Sequence, residues 1–448
     1  MSSLLAGDDG DSDRRVALPR VLQICLLQIS TAIAFVLINS ILNRVMIVEL
    51  KIDAWLVGMV IGVHNLLAFV RPIIGHYSDT HLFFGYRRTP NILAGNLITV
   101  SGLILFVYGA VMLPQNFTTG IAVCFTASLL YGLGVNMTGT LYFSLLADSA
   151  GEKHKAKAAS IGWFVMMVGL IASSGFISKY LEVFSEAKLI QLFWIGAAVS
   201  VGTTWLALLG TEKRFAEVAV QTKKPEEQLP LRTAMKHLVA NTTVYRFFMF
   251  MFVTVIAIQG QDVILEPFGA HIFGLSVAQT AQLTQTWGVG TMIGIVALGL
   301  FAVNRLGKKR TIYIGCLASA AAFIVICVSP MFNTDVFKAG VFMLGLGNGA
   351  LTVGTLTLMM DMTTEKNTGL FMGLWGMAQA MANFLANTIG GGIRDISLAL
   401  TGNQYYGYTA AFSIEVIGLL AAMVILRTIE VQEFKRKTAE DLTAVTAD

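Results

Sequence analysis

Nothing limits this chain more than the spacing of its charges. A helix needs about 20 apolar residues to cross the hydrocarbon of a bilayer, and stretches of that kind recur along the whole chain. We read spans at 18–43, 54–77, 91–112, 120–146, 159–178, 189–210, 245–263, 277–302, 311–329, 337–360, 367–390 and 408–427. Of the 448 residues, 13% are charged and 55% hydrophobic, against roughly 25% charged in a soluble domain. The fold class that follows is an all-α membrane protein with twelve transmembrane helices. Asp53 before "AWLVGMV" reads as a helix N-cap, and Ser276 with Gln279 as a capping box. Pro114 to Asn116 break the long apolar run between Thr89 and Ala147.

Lysine and arginine orient the spans. With the N-terminus inside, the cytoplasmic segments carry 22 of the 31 Lys and Arg and the outer loops six. Arg71, Arg246 and Arg427 read as inner helix ends. This asymmetry predicts that both termini are cytoplasmic. The expected domains are a tail (1–17), a six-helix bundle (18–210), a cytoplasmic linker (211–244), a second six-helix bundle (245–427) and a tail (428–448). The opening "MSSLLAGDDGDSDRRVALPR" lacks the apolar core of a signal peptide. Cys25, Cys124, Cys316 and Cys327 are scattered through apolar segments, as buried small hydrophobes would be. The net charge of +4 calls for no nucleic-acid partner. No Walker loop, catalytic triad or zinc spacing appears, so neither an enzyme nor a metal site is expected.

The two halves repeat. "YGLGVNMTGTLYFSLLAD" (131–148) and "LGLGNGALTVGTLTLMMD" (344–361) align at an offset of 213, which pairs Gly132 with Gly345, Gly134 with Gly347 and Asp148 with Asp361. Two six-helix halves in parallel repeat suit a secondary-transporter fold. The loop "GHYSDTHLFFGYRR" resembles the G-x-x-x-D-R-x-G-R-R signature of the major facilitator superfamily, matching at Gly75, Asp79, Gly85, Arg87 and Arg88, with Thr80 in place of the first arginine. Its second copy keeps Arg305, Gly307, Lys308 and Lys309, with Asn304 in place of the acid. The resemblance implies a cytoplasmic latch between helix bundles, to which Asp148 and Asp361 also belong.

A narrower resemblance follows. "LNRVMIVEL", "SDTH…GYRRTP" and above all "QDVILEPFGAHIFGLS" are similar to the PucC family, the bacteriochlorophyll-delivery branch of that superfamily, which includes the LhaA-type proteins. The resemblance covers nearly the whole chain. It implies light-harvesting complex assembly in a bacterial inner, intracytoplasmic or thylakoid membrane. The implied cargo is chlorophyll or bacteriochlorophyll. The implied partners are light-harvesting apoproteins and chlorophyll synthase.

Candidate site residues fall into two further groups. At the outer ends of spans 1 and 7 an offset of 218 sets Arg44 opposite Asp262 and Val45 opposite Val263. Either Arg44 pairs with Asp262 or Glu266 and closes the outer mouth, with Asn43, Glu49 and Gln261 beside them, or these charges are solvated helix ends. Pro267 and Gly269 predict that the helix stops there. Asp262 to Ser276 then becomes an interfacial loop whose Phe268, Ile272 and Phe273 dock a pigment or a partner helix, or anchor in lipid. The second group lies within the spans. His64, with Asn65, is either a magnesium ligand for pigment or a satisfied interhelical hydrogen bond. Asn136 and Asn348, with Asn39, supply the few strongly polar groups of spans 1, 4 and 10. Glu415 is placed in the outer leaflet of span 12, for proton coupling or helix pairing. Three functions stay open: a pigment-delivering assembly factor, a proton-coupled small-solute transporter using Asp262, Glu266 and Glu415, and a scaffold that binds antenna apoproteins and transports nothing.

Overall fold

The computed structural model describes residues 18–150, 155–212, 242–297, 303–361 and 368–429. Most of the expected linker, and the expected tails apart from Thr428 and Ile429, lie outside the described residues. The membrane helices are α1 (Pro19–Glu49), α2 (Ala54–Ser78), α3 (Thr89–Met112), α4 (Phe117–Ala150), α5 (Lys155–Tyr180) and α6 (Glu186–Leu208) in the first half. The second half holds α7 (Tyr245–Phe273), α8 (Val277–Gly294), α9 (Lys308–Val328), α10 (Thr334–Asp361), α11 (Thr368–Thr401) and α12 (Gln404–Arg427). Ten spans among the described residues are long and apolar enough to cross a membrane on their own.

The repeat is visible in the packing. In the first half α3 packs on α4 and α6, α2 on α4, and α1 on α5 and α6. In the second half α9 packs on α10 and α12, α8 on α10, and α7 on α11 and α12. Each pair has its counterpart six helices later. The halves meet through α2 against α11 and α5 against α8, again a symmetric exchange. The repeated glycines explain the tight pairs. A methyl on Gly134 would sit 2.6 Å from the carbonyl oxygen of Gly95, and one on Gly347 3.0 Å from that of Gly315. The turn after α2 has Gly85 at φ +79°, and the turn before α9 has Gly307 at φ +84°. Both need a backbone that only glycine adopts freely.

Two helices are locally rewound. In α1, Val36–Leu42 and Val45–Glu49 are π-wound, with wide steps such as Leu50 N–H to Val45 O at 3.0 Å. In α2, Val63–Val70 is 3-10, and Ala68 O accepts from Arg71 N–H. Pro72 has no N–H to give Ala68 the usual bond, so the tighter step replaces it.

Three expectations need correction. Span 7 does not end at 263. Its second segment runs Gln261–Phe273 as a helix with Pro267 inside it, so most of the residues read as an outer loop are helix, with Val263 to Gly269 buried and only Gly274 to Ser276 forming the turn. Span 11 continues to Thr401. Arg71 is not a helix end, because α2 runs on to Ser78.

Candidate functional site

The segment that reads as a helix terminator is instead packed against α1, α8 and α11. Proline leaves the carbonyl four residues before it without a helical donor. For Pro267 that carbonyl belongs to Val263. Asn43, reaching over from α1 in the other half, places its Nδ2 at 3.1 Å from Val263 O and 3.0 Å from Asp262 O. A side chain on a neighbouring helix thus supplies the missing bond, which is how a membrane helix tolerates proline. Gly260 separates the two segments of α7, and a Cβ there would lie 2.6 Å from Glu415 Oε1.

Beside this contact, three helices share a polar chain. Thr284 Oγ1 of α8 lies 2.8 Å from Glu266 Oε1 of α7 and 2.7 Å from Ser40 Oγ of α1. A hydroxyl carries one hydrogen. When Thr284 donates to an ionised Glu266, Ser40 must donate to Thr284, so the direction of the chain follows the charge on Glu266. Beside it lies a cavity of about 20 Å³ lined by Asn39, Gln261, Asp262, Glu266 and Trp287, among others, enough for about one water. Gln261 Oε1 and Trp287 Nε1 are buried without protein partners, so one acceptor and one donor remain for that space.

Arg44 does not meet Asp262 or Glu266. Its ion-pair partner among the described residues is Glu49, at 2.5 Å, and its other terminal nitrogen donates to Leu275 O at 3.1 Å. That carbonyl follows Gly274, the left-handed C-cap of α7 at φ +66°, so the guanidinium sits where a helix C-terminus attracts positive charge. The Asp53 side chain makes no cap bond for α2. Instead Asp395 of α11 accepts from Trp55 N–H at 2.8 Å. Arg394 binds Asp395 and Gln404 and stands 5.0 Å over the Tyr408 ring, whose hydroxyl lies 2.7 Å from His271 Nδ1. Phe268 is fully buried among Phe337, Tyr408 and Phe412. It is a core residue of the second half and not an interfacial docking side chain. Of these bonds, Arg44 to Leu275 and Trp55 to Asp395 join the two halves, as does Gln282 to Ser178 at 3.0 Å.

Within the spans, His64 Nδ1 lies 2.5 Å from Ile61 O of its own helix, and its ring meets Tyr131 edge-on. The bond is satisfied, though not between helices as expected, and it leaves Nε2 as the lone-pair nitrogen. Asn65 likewise donates to Gly62 O at 3.1 Å. Asn136 accepts from Arg71 Nε at 2.6 Å. Asn348 takes part through its backbone carbonyl, which accepts from Thr352. Glu415 is 5% exposed at the middle of α12, and neither carboxyl oxygen has a hydrogen-bond partner among the described residues.

At the basic turn, Arg88 Nε meets Asp148 at 2.7 Å. Arg87, Arg88 and Thr89 all donate their backbone N–H groups to the Glu212 carboxylate, at 2.7–3.2 Å. Glu212, where the chain leaves α6, therefore caps α3. Gly75 lies on α2 opposite Thr140. In the second copy Arg305 is exposed in the short turn before α9, and Lys309 is half-buried in the first turn of α9. The side chains of Asp79, Asn304 and Asp361 lie outside the described residues.

A family model described as PUCC protein matches residues 41–434. The chain belongs to the PucC family. It is 32% identical over 422 residues to an uncharacterized protein in the puhA-bchM intergenic region of Rhodobacter capsulatus, covering 90% of this chain and 87% of that one. It is 29% identical over 431 residues to Protein PucC of Cereibacter sphaeroides, covering 93% of each. Among solved structures, a variant of the nucleoside transporter NupG superposes with a TM-score of 0.73 at 17% identity, over 92% of this chain and 99% of that one. That likeness shows the fold, two six-helix halves of the major facilitator kind.

The PucC-family match begins at residue 41, so it covers Asn43, Arg44, Asp262, Glu266, Pro267, Thr284 and Glu415 and leaves Asn39 and Ser40 just before it. Ser40, Thr284, Glu212 and Asp395 escaped the sequence reading. A hydroxyl in an apolar helix and an acid in a polar loop carry no local signal of the partner they meet.

Proposed function

We propose that this PucC-family membrane protein is an assembly factor of light-harvesting complexes that takes chlorophyll or bacteriochlorophyll from the bilayer and hands it to antenna polypeptides. Its partners on this reading are the light-harvesting apoproteins and chlorophyll synthase. Its place is a bacterial inner, intracytoplasmic or thylakoid membrane, with both termini cytoplasmic. The observation that carries the reading is the family match over residues 41–434. The geometry is compatible with it. The one polar cavity described at the α1–α7–α8 crossing holds about one water, so it serves closure of the halves and leaves pigment to be held elsewhere on the bundle. Deleting the chain from the cell that makes it is expected to lower the assembled antenna while pigment synthesis continues. An unchanged antenna level contradicts the reading.

A second reading, a proton-coupled small-solute transporter, is favoured by one specific observation. Glu266 reaches Ser40 of the other half through Thr284, so a proton on Glu266 would reverse a hydrogen-bond chain that joins the halves. Glu415 and Asp262 would be its other titrating groups. Proton uptake with a soluble substrate, lost in Glu266→Gln, is the result that would select it.

A further inference from the structure

Arg71 is a cation inside the membrane span with no ion pair among the described residues. It lies seven residues before Ser78, the end of α2, so about 10 Å from that end at 1.5 Å per residue. Its one hydrogen bond runs from Nε to Asn136 Oδ1 of α4 at 2.6 Å. Asn136 is itself 3% exposed and locked in place, since its Nδ2 donates to Gly132 O at 2.7 Å. The amide therefore aims its oxygen at Arg71 and can offer it no charge. Arg71 is exposed, yet it points at the bundle interior. A Cβ on Gly376, in α11 of the other half, would lie 3.5 Å from its NH1. Among the described residues the space beside it is open. A Cβ on Gly139, in α4 one turn from Asn136, would meet nothing within 4 Å, and one on Gly75 only Thr140 at 3.8 Å. Trp375, next to Gly376 in the chain, keeps a buried indole N–H with no acceptor.

An ionisable side chain within a membrane span that faces open space in the bundle is a candidate binding group. A guanidinium fixed through Nε keeps two terminal nitrogens free, and that fork fits the two oxygens of a carboxylate or phosphate. We propose that Arg71, positioned by Asn136 in the gap between α2, α4 and α11, is a binding site for a single oxyanion, carboxylate or phosphate, carried on an apolar molecule. The ligand would enter from the end of the bundle that bears Arg87 and Arg88. The site is separate from the Asn43–Pro267 crossing and holds under either functional reading.

The test uses the full chain purified in a neutral maltoside detergent, with equilibrium dialysis of labelled dodecanoate, dodecyl phosphate and dodecyltrimethylammonium. The two anions are expected to bind and the cation not. Arg71→Gln should weaken anion binding by about ten- to a hundredfold, the range of a lost charge-assisted hydrogen bond. Arg71→Lys should weaken it less. Asn136→Asp places a carboxylate on Arg71 and should abolish anion binding with the thermal midpoint kept or raised, which separates the site from a folding defect. Tighter dodecyl phosphate points to a phospholipid-type head and tighter dodecanoate to a carboxylate-bearing molecule; both uphold the site. Equal anion affinity in the parent chain, Arg71→Gln and Asn136→Asp overturns it.

Discussion

Asn43 supplies the hydrogen bond that Pro267 removes. The two residues are in different halves, and the bond between them passes through Val263 O at 3.1 Å. The relationship makes a double-mutant cycle decisive. Asn43→Leu should cost about 0.6 kcal/mol and at most about 1.7, the mean and maximum for interhelical hydrogen bonds in a membrane protein. Pro267→Ala restores an N–H for Val263 and should remove most of that cost in the double variant. Unfolding in detergent measures all four proteins. Strictly additive effects would show that the bond does not substitute for the helical one.

Arg44 is 5% exposed while Glu49 is 37% exposed, so the arginine depends on the acid more than the acid on it. Glu49→Gln should strand the guanidinium and loosen the joined end of the bundle by about 1–3 kcal/mol. A cysteine placed at Leu275, which is buried, reads this out by maleimide labelling once the half-buried Cys327 is replaced by serine, because Cys25, Cys124 and Cys316 are buried. Labelling should speed up about tenfold in the variant. An unchanged rate would mean the pair does not hold this end closed.

Glu212 accepts three backbone N–H groups at the start of α3. Glu212→Ala should cost about 1 kcal/mol, typical of a lost N-terminal cap and its favourable charge. Hydrogen exchange should accelerate at Arg87, Arg88 and Thr89 and not along the middle of α3. Uniform acceleration would point to general destabilisation and away from a cap.

Glu415 is buried with two unpartnered oxygens. A buried charge without a partner is costly, and glutamine has the same shape with no charge. Glu415→Gln should keep or raise the thermal midpoint and leave pigment loading unchanged. A lower midpoint would reveal an interaction that the acid alone can make.

Much of the architecture was legible because lipid enforces simple rules. Charge-free spans, paired glycines at an offset of 213 and the basic loops each reflect a local physical demand, and the helices follow them. The corrections share one cause. Pro267 reads as a stop only when a helix must satisfy its own carbonyls, and its rescuer Asn43 lies 224 residues away. Phe268 reads as interfacial only if the helix has ended. Arg44 was matched to Asp262 by the repeat, yet a closer acid, Glu49, lies on its own π-wound helix end. Glu212 could not be singled out among the linker's charges, since its role is set by where α3 begins in space.

The central claim is that this PucC-family chain handles pigment for antenna assembly. The most direct measurement is gentle purification from a pigment-making cell, followed by the absorption spectrum and identification of co-purifying polypeptides. The account predicts bound chlorophyll or bacteriochlorophyll together with light-harvesting subunits. A colourless, client-free preparation that moves protons with a soluble solute would contradict it.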